Sequence, residues 1–320
     1  PQAGAFGANA AGGVIRIVTN DPTPYWTGQV EGTVGEDSLV AGGLAVGGPV
    51  IESDPEKLTF RLALHQLNQD GFRDNKHLGK DDTNERDEFT SRFKLRWLAN
   101  DDWQWDGTLL CANVDNGYDE FSLGNTGFDT YSDEPGRDQQ KTVAGSIRGT
   151  WLGLNNIELI SITSYTNTDS FYSFDGDFSN PTDSLYTYTG FLDLDRERDV
   201  FSQEIRLNSV DQQDSLGWID RWTVGFYYHQ MDESTTTTGF GTFDTEYNSN
   251  TYSIFGQATH EFSEKTRITL GLRTEYFDLE TERSVLADAN YDDLLIGGKI
   301  TLEHDLNSKH TTFASVTRGY

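Results

Sequence analysis

The chain holds one cysteine, Cys111, one methionine and seven prolines in 320 residues. A single thiol rules out a disulfide framework, although it leaves the compartment open. No run of eighteen or more apolar residues occurs, so no helix of this sequence can cross a bilayer. Hydrophobic residues make up 35% of the chain, fewer than a soluble core of this size normally uses. Basic residues are scarce as well: 24 Lys and Arg stand against 52 Asp and Glu, a formal charge of -28 that repels nucleic acid and excludes it as a partner. No G-x-S-x-G elbow, H-E-x-x-H pair or phosphate-binding loop is present, so nothing points to an enzyme. The histidines His65, His77, His229, His260, His304 and His310 are scattered singly, and no metal or cofactor is implied.

What the chain does have is a period of two. Leu58, Phe60, Leu62 and Leu64 alternate with Lys57, Thr59, Arg61 and His65. Trp222, Val224, Phe226 and Tyr228 alternate with Thr223, Gly225, Tyr227 and His229, and the same holds around Phe93 and Leu270. A helix would space its apolar residues three and four apart. The pattern predicts thirteen strands. They are Trp26–Val34, Leu39–Val50, Lys57–Asn68, Asp87–Ala99, Trp103–Asp115, Lys141–Trp151 and Ile157–Tyr172. The rest are Val200–Ser209, Arg221–Glu233, Tyr247–Phe262, Arg267–Glu280, Asp292–His304 and Lys309–Tyr320. In the fifth, either face could be the outer one. Soluble strands are usually about five or six residues long, whereas crossing a bilayer takes about nine to eleven tilted ones.

The connections alternate in length. Glu52–Glu56, Asn100–Asp102, Leu152–Asn156, Ser263–Thr266 and Asp305–Ser308 are tight, and Val210–Asp220 is slightly longer. Between them lie Gln69–Arg86, Asn116–Gln140, Ser173–Asp199, Ser234–Glu246 and Thr281–Tyr291. A sandwich or propeller gives no reason for this alternation. A membrane barrel does, because its short turns face the periplasm and its long loops face outside. Trp26, Trp97, Trp103, Trp151, Trp218, Trp222 and Tyr276 sit near strand ends, beside the short turns, where a barrel carries its interfacial girdles. The expected fold is an all-β, transmembrane antiparallel barrel. Because a lipid-spanning sheet must close and bacterial barrels have even strand numbers, the odd count is read as a fragment.

The opening residues do not read as barrel. Gly7-Ala8-Asn9-Ala10-Ala11-Gly12-Gly13-Val14-Ile15-Arg16-Ile17-Val18-Thr19 is a small-residue turn feeding a β-branched strand. It resembles the closing segment of the plug domain of TonB-dependent outer-membrane receptors, with Gly7, Asn9, Gly12 and Gly13 as its motif, and Asp21-Pro22 resembles the link into the barrel. Ser161–Tyr165, Ser202–Leu207, Phe255–Thr259 and Ala314–Tyr320 resemble strands of the same family. The resemblance implies a plug tail at 1–22 and the first part of a barrel at 23–320. It further implies a ligand-gated importer of the Gram-negative outer membrane, surrounded by outer-membrane lipids. Its energy would come from a TonB-type partner through a segment before Pro1, and its cargo would be a ferric siderophore or another scarce nutrient.

The loop Ser173–Asp199 is the expected ligand surface: Phe174, Phe178, Tyr186, Tyr188 and Phe191 could stack on a chelate or sugar, with Asp175 and Asp177 beside them. Long loops also pack aromatics on one another. Asp175-Gly176-Asp177 hints at calcium but lacks the twelve-residue spacing with glycine at the sixth position and a closing glutamate, and a hydrated turn is the plainer reading. Inward Arg92, Lys94, Arg96, Arg148, Arg206, Arg267 and Arg273 could guide an anion, or pair with acidic groups of plug and lumen. The rival readings are a secreted or surface acidic glycan-binding β-protein and a barrel-borne hydrolase. The cargo itself is not specified by the residues.

Overall fold

The computed structural model describes residues 15, 17–124, 127–154, 156–182, 188, 190–210 and 219–319. Gly7, Asn9, Gly12 and Gly13 of the plug motif lie outside them, as do Tyr186, Trp218 and Tyr320.

Sixteen strands account for the ordered elements among the described residues. The first eight are β1 (Thr27–Val34), β2 (Val40–Pro49), β3 (Leu58–Gln69), β4 (Arg73–Asn75), β5 (Lys80–Thr83), β6 (Arg86–Leu98), β7 (Trp103–Tyr118) and β8 (Asp129–Thr130). The remainder are β9 (Gly136–Leu154), β10 (Ile157–Asp175), β11 (Phe191–Ser209), β12 (Arg221–Thr238), β13 (Thr242–Ser263), β14 (Thr266–Arg283), β15 (Ala289–Asn307) and β16 (His310–Arg318). Thirteen of them form one sheet in chain order, β1-β2-β3-β6-β7-β9-β10-β11-β12-β13-β14-β15-β16, every neighbour antiparallel. These are the thirteen strands that the alternation predicts.

Register decides which face each residue takes. Ile205, Phe226, Ile254 and Ile296 fall in one cross-strand row with Thr274 between the last two. Leu272 stands on the same face between Gly256 and Gly298. This face is bare: Ile254 is 60% exposed and Leu272 64%. On the other face, Phe255 and Arg273 are each only 1% exposed. In β7 the ambiguity resolves through Leu109, which pairs with Phe93 and Gly145 on the bare face, so Leu110 points inward.

Burial is inverted relative to a soluble protein. Among the described residues four hydrophobic side chains are buried, against twenty-two polar or charged ones. Water would not tolerate an exposed apolar belt of this extent, whereas acyl chains would cover it. Aromatic rows bound the belt on both sides. Beside the short turns, Trp103 stacks on Trp105 at 5.4 Å and on Trp151 at 5.8 Å, while Trp26 meets Phe60 edge-on at 5.8 Å. At the opposite rim Tyr228 lies 4.9 Å from Tyr252, whose cross-strand partner is Tyr276. Tyr276 therefore belongs to the girdle on the long-loop side, not to the one beside the short turns.

Beyond the belt the strands run further than the apolar alternation does. β11 begins at Phe191, nine residues before the predicted Val200, and its added segment pairs with β12 as far as Asp193↔Thr238. Its apolar residues, Phe191, Leu192 and Leu194, give way to Asp195–Asp199, so no hydrophobic period carries through to the predicted start. Arg198 donates from Nε to Glu233 across the pair at 2.6 Å, one of the opposite-charge contacts that hold these extensions. The loops 69–86 and 116–140 also carry structure of their own, a small sheet ordered β5-β4-β8.

Candidate functional site at the barrel mouth and inner wall

Two arrangements on the inner side carry the functional argument. The first is on the wall. Residues 15–26 precede β1, and Asp21 in this segment pairs with Lys94 at 3.0 Å and Arg96 at 3.3 Å, while Lys94 also donates to the Thr19 carbonyl at 3.1 Å. Lys94 and Arg96 occupy inward positions of β6, so the segment leading into the barrel is fastened to the inner surface. A cavity of about 300 Å³ lies between Val18–Asn20 and the inward side chains Arg61, Ala63, Arg92 and Lys94.

Four of the inward arginines are already paired with acids rather than held ready for an anion. Arg96 donates to Asp106 at 2.6 Å, Arg206 to Glu204 at 2.7 Å, and Arg267 to Glu303 at 2.8 Å. Arg273 donates to both Ser253 and Glu275 at 2.7 Å and lies over the rings of Tyr227 and Phe255. Pairing of this kind is what makes buried charge tolerable.

The second arrangement is at the mouth, where loops 69–86, 116–140 and 173–190 join into one block. Asp119, 4% exposed, is its hub: Oδ2 accepts from Asn75 Nδ2 at 3.1 Å, Thr83 Oγ1 at 2.8 Å and Thr130 Oγ1 at 2.7 Å. Asn75 also donates to the Ser132 carbonyl at 2.9 Å, and Asn180 to the Tyr131 carbonyl at 2.7 Å. Gly136 shows how close the segments come, since a Cβ there would stand 1.8 Å from the Ser173 carbonyl oxygen.

Aromatic side chains form a chain along this block. Tyr118 and Tyr172, on lumen-facing positions of β7 and β10, meet at 4.9 Å. The contacts continue through Tyr172–Phe174 at 5.7 Å, Phe174–Phe178 at 6.2 Å and Phe121–Phe178 at 5.3 Å. Phe178 adopts a left-handed backbone, φ 55°, and Asp175 Oδ1 holds the turn by accepting from the amides of Asp177 at 3.0 Å and Phe178 at 3.2 Å. The structure thus brings Phe174, Asp175, Asp177 and Phe178 together. Tyr188 stands apart from the chain, half-exposed, donating to the Gly176 carbonyl at 2.9 Å and lying 6.0 Å from Phe240. The two carboxylates are buried within the turn rather than displayed.

Sequence reading passed over Tyr118, Phe121 and Tyr172 as members of this chain, and Asp119 as the hub. Tyr118 and Tyr172 continue the alternation of their strands, a usable signal. Asp119 gives none, because an isolated Asp in an acidic loop looks like any other.

No family model matches the sequence. Solved structures do share its architecture. The ferric yersiniabactin uptake receptor FyuA from Yersinia pestis superposes with a TM-score of 0.76 at 15% identity, over 93% of this chain and 47% of that one. The alcaligin outer-membrane receptor FauA from Bordetella pertussis gives 0.65 at 13% identity, over 93% and 44%. The copper transporter OprC gives 0.68 at 12%, over 93% and 47%. The chain thus spans about half the length of each. Likeness at this level of identity defines the fold alone: part of the wall of a large antiparallel outer-membrane β-barrel.

Proposed function

We propose that the chain is part of a TonB-dependent outer-membrane receptor, an importer that takes up a scarce nutrient from outside the cell. The observation that carries this reading is the segment ahead of β1, fastened to the inner wall through Asp21, Lys94 and Arg96. A segment held against the inner wall is what a barrel filled by a plug requires where the plug joins the first strand. The plug-like motif around Gly7, Asn9, Gly12 and Gly13 and the shared fold support the same reading. A TonB-type protein would then supply the work, and no covalent chemistry is involved.

Within that class the favoured cargo is a ferric siderophore. The aromatic chain from Tyr118 to Phe178 suits contact with the flat aromatic groups of an iron chelate, and Phe121, 54% exposed, and Tyr188, 47% exposed, offer open ring faces. A soft metal cargo fits less well, because thiolate and thioether donors would be wanted: Cys111 faces the lipid side and Met231 stands alone in its strand. The test is uptake of radioactive iron by cells carrying the intact gene, with a panel of chelates, in the presence and absence of the energy-transducing protein. Accumulation that depends on both the gene and the energy source is expected. Accumulation indifferent to the energy source would overturn the importer reading. Failure of every ferric chelate, while a glycan or cobalamin enters, would overturn the cargo alone.

A further inference from the structure

We propose that the turn Asp175–Ser179, with Ser132 opposite it, binds one divalent cation, calcium in preference to magnesium, and that this ion fixes the loop block at the barrel mouth. Asp175, Asp177 and Ser179 are 5%, 6% and 0% exposed. Each keeps a buried oxygen without a hydrogen-bond partner: Asp175 Oδ2, Asp177 Oδ1 and Ser179 Oγ. The remaining carboxylate oxygens already serve the turn, Asp175 Oδ1 as described and Asp177 Oδ2 by accepting the Gly190 amide at 2.9 Å. Ser179 belongs to the block as well, since its carbonyl accepts from the Asp133 amide at 3.1 Å.

Two buried carboxylates in sequence are expensive unless a positive charge meets them. None is supplied by the charges that act on Asp175, which come from Asp177 and Asp133. Arg73, in the neighbouring small sheet, is committed to Glu120 and to the Gly127 carbonyl, both at 2.8 Å. Beside Asp175 and Ser132, the two proposed ligands that line it, lies a cavity of about 10 Å³ walled also by Tyr118, Asp119, Glu120, Phe121, Phe174 and Phe178. That is room for one ion or water and nothing larger.

The donors are all oxygens, which selects a hard cation over zinc or copper. Their spacing at alternate positions matches the first three oxygen ligands of a calcium loop. Asn180 then stands where such a loop has glycine, and no third acidic, histidine or cysteine side chain joins a metal-sized group among the described residues. Backbone carbonyls and water must complete the shell. Calcium accepts such an irregular set, with six to eight oxygens at about 2.3–2.6 Å, while magnesium demands a near-octahedral one. The inference does not rest on the importer reading, because the site belongs to the loop block whatever the barrel carries.

The test uses the full-length receptor in detergent, stripped with a chelator and titrated with terbium, whose emission Tyr118 and Tyr172 can sensitise. One saturable class, displaced by calcium and far less by magnesium, is expected. Asp177→Asn should weaken it about tenfold or more, as loss of a charged ligand does. Ser179→Ala should weaken it several-fold without disturbing folding, because the hydroxyl makes no hydrogen bond in the turn. Absence of a saturable class in the folded wild type would overturn the proposal. So would a class unchanged in Ser179→Ala and Asp177→Asn, both verified as folded by heat-resistant gel mobility.

Discussion

Replacing Leu272 by arginine separates a lipid-facing wall from a water-facing one by the size of its effect. Leu272 is 64% exposed, and its cross-strand neighbours on the same face, Gly256 and Gly298, offer no side chain to shield it. It lies midway along the outward run of β14, four positions from Ile268 and four from Tyr276. At about 3.4 Å per residue and a tilt near 40°, that places it about 10 Å from either edge of the belt. Arginine near the midplane of a barrel costs about 2–4 kcal/mol, partly relieved by the side chain reaching for the interface. About 3 kcal/mol is roughly a hundredfold shift in the folding equilibrium. Were the face in water, a substitution at so exposed a site would stay within about 0.5 kcal/mol. Gln257→Arg, on the wet face beside Gly271, is the control and should cost under about 1 kcal/mol. The assay is a urea titration in thin liposomes, reading the folded fraction from gel mobility without boiling. A Leu272→Arg barrel as stable as wild type, or a Gln257→Arg barrel equally damaged, would refute the assignment of faces.

Four further outcomes are expected. Lipids brominated along the acyl chain should quench tryptophan emission, and Trp103→Phe with Trp151→Phe should remove a substantial part of the quenched signal; undiminished quenching would argue against that rim. Arg273→Met should destabilise the barrel by about 3–5 kcal/mol, because it leaves Glu275 buried without its cation, and Glu275→Met in the same chain should restore much of the loss; denaturant titration of the two variants decides. Asp21→Asn should change global stability by under about 1 kcal/mol, its pairs being half-exposed, yet raise the mobility of a spin label at Asn20. With calcium chelated, the loop block should become more stable as pH falls. Burial holds the Asp175 carboxyl above the usual range, with Asp177 and Asp133 pushing the same way against the Ser132 hydroxyl and the Asp177 amide, so the folded loop binds a proton that the open loop releases. The stabilisation is gained as pH drops through the raised pKa and lost above it. Hydrogen-exchange protection of residues 175–180, corrected for intrinsic rates, reads this directly, and a flat profile would contradict it.

The alternation in the sequence was sufficient for the wall. Leu58 to Leu64, Trp222 to Tyr228 and Ile268 to Tyr276 each repeat every second residue, so lipid on one side and water on the other are written into composition and period alone. The same physics set the limit of that reading. Above the belt, at Asp193–Asp199 and Thr235–Thr238, water lies on both sides, no apolar period survives, and only register reveals the strands. The pairings of Arg206 with Glu204 and of Arg273 with Glu275 run two residues along one strand face and follow from the period itself, whereas Ser253 reaches Arg273 only across the sheet. At the mouth the sequence offered aromatics and acids in one loop, and tertiary structure decided their roles. Tyr118 and Phe121 come from another loop to extend the aromatic chain. Asp119 becomes a hub through Asn75, Thr83 and Thr130, groups eleven to forty-four residues away. Periodicity is a local property that solvent imposes on neighbouring residues, whereas a buried polar cluster depends on which distant segments close over it.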